Sequence, residues 1–284
     1  MRNLENKIVF ITGAGSGFGR ALALELAARK AIPVLADVDR EGLAGTGRLL
    51  RERGARFGSQ VLDVRSREAW ELAAQSTAQE FGGVDVLINN AGVLSRAESF
   101  LELTEDHCRA LFEVNFWGMF YGTRAFVPLL AQRAEAHLVN VCSSLALIGT
   151  PMASVYCASK AATANFTAVV REELAGSRIG VTAVFPGASK TNLGRNIPAD
   201  SAAQREANAK NFERFATTPA DKVAAKIVAA IVHRRPVVVS GVDAHLLSWF
   251  ARLAPRAGYK LMAAAYRKVS DPKQFERLKT LTAR

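Results

Sequence analysis

Seven short runs of β-branched and aliphatic residues recur along the chain, and a stretch of helical periodicity separates each from the next. The runs are Lys7–Thr12, Ile32–Ala36, Arg56–Leu62, Val84–Asn89, Ala136–Ser143, Ile179–Phe185 and Pro236–Ser240. Between them lie helices expected over Gly17–Arg29, Glu41–Arg53, Trp70–Phe81, Thr104–Leu130, Ser154–Leu174 and Pro219–His233. Runs that are apolar on both faces need cover on both sides, and strand–helix–strand repetition makes neighbouring strands parallel. The expected architecture is therefore α/β, a doubly wound parallel sheet of seven strands with helices on both faces. Thr218-Pro-Ala-Asp221 reads as a helix start, with a capping hydroxyl, Pro in the first turn and an acid facing the dipole.

Residues 1–240 read as one domain, because α/β folds of this length often form a single unit. Within it, 192–217 is polar with scattered Leu193, Ile197, Phe212 and Phe215, and reads as a mobile lid beside a site. Residues 241–284 change character and form a basic helical extension divided near Pro255. The chain carries 37 Lys and Arg against 26 Asp and Glu, a net charge of +11. The last 44 residues contribute +6 of that excess. In 242–269, Leu246, Leu247, Trp249, Phe250, Leu253, Tyr259, Leu261, Met262 and Tyr266 alternate with Arg252, Arg256, Lys260, Arg267 and Lys268. Such a pattern suits helices packed on the body or on a second subunit, or helices in peripheral contact with a membrane. No nucleic-acid motif accompanies the charge. Cys108, Cys142 and Cys157 are widely spaced, and the four His lack ligand spacing, so neither disulfides nor a metal is expected. No stretch approaches the ~18 unbroken apolar residues of a membrane span. The expectation is a cytoplasmic protein, at most peripheral to a membrane.

Thr12-Gly-Ala-Gly-Ser-Gly-Phe-Gly-Arg20 follows the first strand and opens the first helix. Glycines there let the backbone turn tightly and approach a pyrophosphate, whose charge meets the helix N-terminus. Asp37, 24 residues past Gly13, ends the second strand. A carboxylate at that place accepts from an unphosphorylated ribose and repels a 2′-phosphate, which favours NAD over NADP. The competing reading has Asp37 capping a turn while Arg40 or Arg20 meets a phosphate. Tyr156-Cys-Ala-Ser-Lys160 sets a phenol and an ammonium one turn apart on one helix face. A cation so close is expected to lower the phenol pKa from its usual ~10. Ser143 lies 13 residues upstream, at the carboxyl end of a strand, where this architecture gathers its ligands.

The spacing Gly13-x-x-x-Gly17-x-Gly19, together with Tyr156-x-x-x-Lys160 and the strand-end Ser143, resembles the short-chain dehydrogenase/reductase family, over about residues 6–240. The resemblance implies a Rossmann-type fold and an enzyme that acts on CH–OH groups with NAD, less expectedly NADP. It implies cofactor contacts from Gly13, Ser16, Gly17, Phe18, Gly19 and Asp37, from Asp63 and Val64 at the adenine edge, and from Asn90, Ala91 and Gly92. Further contacts are implied for Tyr156, Lys160, Pro186, Gly187 and Thr191, the last at the nicotinamide carboxamide. Ser143 orients the substrate oxygen, Tyr156 exchanges its proton, and Lys160 supports both Tyr156 and the ribose. Asn115 holds a relay to the Lys. Ser144 rivals Ser143, though the spacing to Tyr156 favours Ser143. The family's usual homo-oligomers, dimers or tetramers built on long helices, are expected as well. With the apolar lid and tail, the substrate is expected to be a bulky, lipid-like alcohol or ketone. Alternatives are an NADP-dependent carbonyl or ketoacyl reductase, or a non-catalytic NAD-binding, membrane-associated protein.

Overall fold

The computed structural model describes the chain except residues 2, 192, 195–196, 198–200, 204–205, 207–208, 211, 213–215, 270–274, 276–279 and 281–284. Seven parallel strands form one sheet: β1 (Ile8–Thr12), β2 (Ile32–Asp37), β3 (Gly58–Val61), β4 (Val86–Asn89), β5 (Ala136–Val141), β6 (Ile179–Pro186) and, after two short strands, β9 (Val237–Ser240). Their spatial order is β3-β2-β1-β4-β5-β6-β9, so the winding reverses between β1 and β4. The helices are α1 (Gly17–Ala28), α2 (Arg40–Glu52), α3 (Arg67–Phe81), α4 (Glu105–Phe112), α5 (Gly118–Ala131), α6 (Ser154–Glu173) and α7 (Ala220–His233).

Strand alternation divides the interior into two layers. Val9 and Ile11 of β1 face Leu22 and Leu26 of α1 and Ile227 and Ile231 of α7. Ile8 and Phe10 point the other way, toward Trp70 of α3, Phe126 and Leu130 of α5, and Val170 of α6. Phe10, Trp70 and Phe126 meet with centroids 4.5–5.9 Å apart, Phe10 tilted against both and Trp70 edge-on to Phe126. Side-chain oxygens set several helix starts. Asp39 accepts from Gly42 N at 3.0 Å and Ser66 from Ala69 N at 3.0 Å.

Two local expectations are corrected. The helix read as continuous over Thr104–Leu130 is broken by a π-helical turn, Glu113–Trp117, between α4 and α5. The π turn lies in a stretch with Val114, Phe116, Trp117, Met119 and Phe120, apolar on nearly every side, so the phase shift of one inserted residue leaves no visible break in the sequence. At α7 the cap is Pro219, in extended backbone, and the Thr218 hydroxyl does not cap. Thr218–Pro219 is instead a short strand, β8, paired with β7 (Ser189–Lys190). The extension forms α8 (Val242–Leu253) and α9 (Pro255–Val269), parted at Ala254 as the proline suggests. The lid expected over 192–217 lies in large part outside the described residues. Among the described residues no helix is long and apolar enough to cross a membrane, and the three cysteines are free thiols.

Candidate active site

Ligands of an open parallel sheet bind where the strand order reverses, at the carboxyl ends. Here those ends are Thr12-Gly13 and Asn89-Asn90. The Thr12 hydroxyl accepts from both Asn90 N and Ala91 N at 3.0 Å, and Asn90 Nδ2 donates to Thr12 O at 2.7 Å. The two strand ends are thereby locked side by side. Gly13 stands at φ +66°, and a Cβ there would come within 2.8 Å of Asn90 Nδ2. A Cβ on Gly19 would collide with the Gly13 carbonyl, so the loop folds back on the start of α1 only because both residues are glycine. Ser16 is the α1 cap position and makes no side-chain cap bond. Phe18 packs against the α1 layer.

Asp37 Oδ2 accepts from Gly15 N at 2.8 Å, and Oδ1 accepts from Asp39 N at 3.0 Å. The carboxylate therefore both ends β2 and fastens the glycine loop. Of the two cations that the rival reading aims at a phosphate, Arg20 is held inward, its Nε donating to Thr46 Oγ1 at 3.0 Å and its Nη2 to Gly15 O, whereas Arg40 is exposed at the start of α2. Asp63 is paired with Arg65, whose Nη2 lies 2.6 Å away, and that guanidinium keeps the carboxyl below its usual range. Val64 is buried; its carbonyl accepts from Trp70 Nε1 at 3.0 Å.

Tyr156 and Lys160 lie on the same, inward face of α6, 6% and 5% exposed. Ser143, two residues past β5, faces Tyr156 closely enough to draw its pKa downward, and it accepts from Leu145 N at 3.2 Å. Its neighbour Ser144 begins a 3-10 turn and is buried. Lys160 Nζ donates to Val141 O at 3.1 Å. Asn115, in the π turn, accepts from Val93 N at 2.9 Å and donates to Val93 O at 3.0 Å and Ser159 Oγ at 3.1 Å. Its own carbonyl accepts from Thr163 Oγ1 at 3.1 Å. Gly92 closes the arrangement: a Cβ there would come within 3.1 Å of Lys160 Nζ and 3.2 Å of Asn115 Oδ1. One segment, Asn90–Gly92, thus touches the glycine loop at one end and the lysine at the other.

The expected acidification of the phenol is not found. Burial pushes the Tyr156 pKa up to about 12, with Ser143 opposing it. Lys160 is itself buried, which pulls its pKa down to about 8. Removing both groups from water disfavours both charged forms, and the groups acting on the phenol besides its burial are Ser143, Cys157 and Cys142 rather than Lys160.

Gly187 N donates to Ser240 O at 2.8 Å. Thr191 makes only a local contact, accepting from Leu193 N at 3.4 Å, among the described residues. Two residues without a role in the sequence reading matter here. Thr12 joins the strand ends. Asp243, in the first turn of α8, accepts from Ala188 N at 2.8 Å, and a Cβ on Gly187 would strike its carboxylate. Asp243 Oδ1 is buried without a hydrogen-bond partner among the described residues. An acid lying between apolar residues after the last strand is a signal only in hindsight, since its partner is 55 residues away. An apolar cleft of about 520 Å³ opens between Leu145–Pro151, Cys157, Ala158 and Ala161 of α6, and Tyr259 and Ala263 of α9. It lies on the face of α6 turned away from Tyr156 and Lys160.

A glycine cradle at the switch point, next to a strand-end serine and a tyrosine and lysine one turn apart, defines a dinucleotide-dependent oxidoreductase. The short chain dehydrogenase family model matches residues 7–202. SadH of Mycobacterium tuberculosis, named as an oxidoreductase, is 37% identical over 271 residues, covering 94% of this chain and 98% of that protein. Epidermal retinol dehydrogenase 2 of Mus musculus is 39% identical over 196 residues, 68% of this chain and 63% of that one. A short-chain dehydrogenase/reductase from Burkholderia phymatum, solved in complex with NAD, superposes with a TM-score of 0.82 at 30% identity, over 93% of this chain and 97% of its own. The chain belongs to the short-chain dehydrogenase/reductase family, and is an enzyme acting on CH–OH groups with NAD(P).

Proposed function

We propose that this enzyme interconverts a bulky secondary alcohol and its ketone with NAD, through Tyr156 as the proton-exchanging group. The observation that carries the reading is the continuity just described: Asn90 meets the Gly13 loop, Gly92 meets Lys160, and Ser143 meets Tyr156. The cradle around Gly13 and Gly19 has backbone where side chains would stand, which suits a pyrophosphate. When bound there, NAD would supply the hydride chemistry, giving a hydride to a carbonyl carbon or taking one from an alcohol carbon. Ser143 holds the substrate oxygen, and Tyr156 donates a proton to a carbonyl or receives one from a hydroxyl. Lys160 fixes the Tyr156 side of the pocket and offers its remaining protons to the ribose hydroxyls. Asn115, anchored to Val93 and Ser159, holds the floor beneath Lys160. Pro186, Gly187 and Thr191 would hold the nicotinamide end of the cofactor, and Asp63 and Val64 the adenine end.

Asp37 supports NAD over NADP, since a carboxylate at the end of β2 repels a 2′-phosphate, and Arg20 is engaged elsewhere. A large apolar substrate is favoured by relatives named for retinol and estradiol and by the apolar extension. A chain that only sensed NAD would have no use for the buried phenol. Turnover of a panel of aliphatic, steroid and retinoid alcohols with NAD and with NADP, followed by nicotinamide absorbance, tests the reading. Activity on apolar secondary alcohols with NAD is expected; activity confined to NADP or to small polar alcohols would contradict it.

We also propose a homo-oligomer. Trp117 and Val169, 40% and 49% exposed, stand on the outer faces of the π turn and α6, beside a ring cluster of Phe116, Phe120, Tyr121 and Phe166. Apolar groups so grouped on neighbouring helices suit a contact between copies.

A further inference from the structure

On α8, Val242, Leu246, Trp249 and Leu253 follow at spacings of four, three and four residues, and so form one stripe along the helix. All four face solvent, 79%, 55%, 55% and 66% exposed, while Ala244 and Leu247 on the opposite side anchor the helix to the body. An amphipathic helix ordinarily turns such a stripe inward; this one is apolar on both sides. On the adjoining α9, Arg256, Lys260 and Arg267 recur at spacings of four and seven and are exposed, with Arg252 flanking the α8 stripe. The single acid in 242–269 is Asp243, and its carboxylate is turned inward onto Ala188. The pair of helices therefore presents large apolar side chains and five cations with no outward-facing acid.

That combination discriminates among occupants. A second copy docked through the same face would bring two sets of like charges together over a greasy stripe, which is electrostatically unfavourable. A nucleic acid would be drawn by the cations but has no use for a row of Val, Leu, Trp and Leu. An anionic lipid surface takes both: the aliphatic and indole groups enter the headgroup zone while Arg and Lys meet lipid phosphates. We propose that the exposed face of α8, with the cations of α9, docks the enzyme on an anionic membrane. Asp243, in the first turn of the docking helix, clasps the Gly187-Ala188 backbone that follows β6, so the lipid surface would lie against the same helix that braces the nicotinamide side of the site. The proposal stands independently of the reaction chemistry.

The test is co-sedimentation of the full-length protein with vesicles of phosphatidylcholine, alone or mixed with phosphatidylglycerol, at low and high salt. Binding to the mixed vesicles, weakened by salt, is expected. Leu246→Glu/Leu253→Glu removes the apolar half of the contact, and Arg256→Gln/Lys260→Gln the cationic half. Each pair should weaken binding by about tenfold or more. Trp249 emission should shift to the blue on the mixed vesicles, and the shift should vanish in Trp249→Phe. Turnover of a water-soluble alcohol should stay unchanged in all variants, which separates a docking defect from a failed active site. The arginine–lysine pair is exposed, so its result holds even if the glutamate pair fails to fold. Equal affinity for both vesicle types, or undiminished binding in the Arg256→Gln/Lys260→Gln variant, would overturn the proposal. So would vesicle-blind protein whose oligomer dissociates in the glutamate variant, or retention by DNA in place of lipid.

Discussion

His137 lies at 1% exposure near the start of β5, with Nε2 2.7 Å from Thr182 Oγ1, whose hydroxyl donates in turn to Arg235 O at 2.6 Å. The threonine proton is thus committed, so Nε2 carries the imidazole proton, and Nδ1 faces Gly180, where a Cβ would press on the ring. Burial pulls the His137 pKa from 6.5 to about 3. Between those values the unfolded chain binds a proton that the folded chain refuses, so stability falls as pH drops through that window, by roughly 3–5 kcal/mol at its acid end. Urea titrations at stepped pH should show this slope, and His137→Gln should flatten it. The same sign rule applies to Lys160, whose folded pKa of about 8 lies below its ordinary 10.5. Stability should rise with pH between those two values. For catalysis, Tyr156 at about 12 is fully protonated at neutral pH, so the donor form is present throughout the range. Carbonyl reduction should therefore be flat with pH until Lys160 begins to lose its proton, while alcohol oxidation should climb by about tenfold per unit over the same range. The facing of Tyr156 and Lys160 was readable from a four-residue spacing, because helix geometry alone decides it. The sign of the phenol shift was not, because it depends on how deeply Val141, Cys142 and the π turn, all distant in sequence, bury the pair.

At the scale of elements, the sheet is pinned at the amino ends of its central strands, opposite the site. Asp85, 1% exposed, accepts from Ile8 N at 2.9 Å and pairs with Arg133 Nε at 2.9 Å beyond α5, with Lys7 Nζ at 3.5 Å. Asp85→Ala should lower stability by about 2–4 kcal/mol, since it leaves the buried Ile8 N–H without its acceptor and two cations without their carboxylate. Michaelis constants should hardly change, because the tie lies at the wrong end of the strands. Thermal denaturation alongside steady-state kinetics separates the two effects. Gly122 of α5 admits the Trp70 ring, and a Cβ there would come within 2.6 Å of both Trp70 Cη2 and Asn89 Oδ1. Gly122→Ala should cost about 2–3 kcal/mol in the same melts. Strand and helix identities were legible because each carries its own period. The π turn and the β7–β8 pair were not. The first hides inside an unbroken apolar rhythm, and the second is a meeting of two-residue segments whose partners lie 29 residues apart.

Across the whole molecule, the parallel sheet and its winding followed from the alternation of runs, and the family from motifs that fall at consecutive strand ends. Thr12 and Asp243 escaped notice because their work is done on backbone that only the fold brings near. The outer aromatic cluster leads to a further expectation. Trp117→Glu should shift the species seen by light scattering toward smaller assemblies while leaving NAD binding intact. An unchanged mass in that variant would place the contact between copies elsewhere.

The central claim is that a buried tyrosine beside the glycine cradle moves the proton of the substrate oxygen. Stopped-flow turnover and cofactor affinity of Tyr156→Phe test it most directly. Turnover should fall by about three orders of magnitude or more with NADH affinity within about threefold of the parent. Turnover near that of the parent enzyme, with the cofactor still bound, would contradict the account.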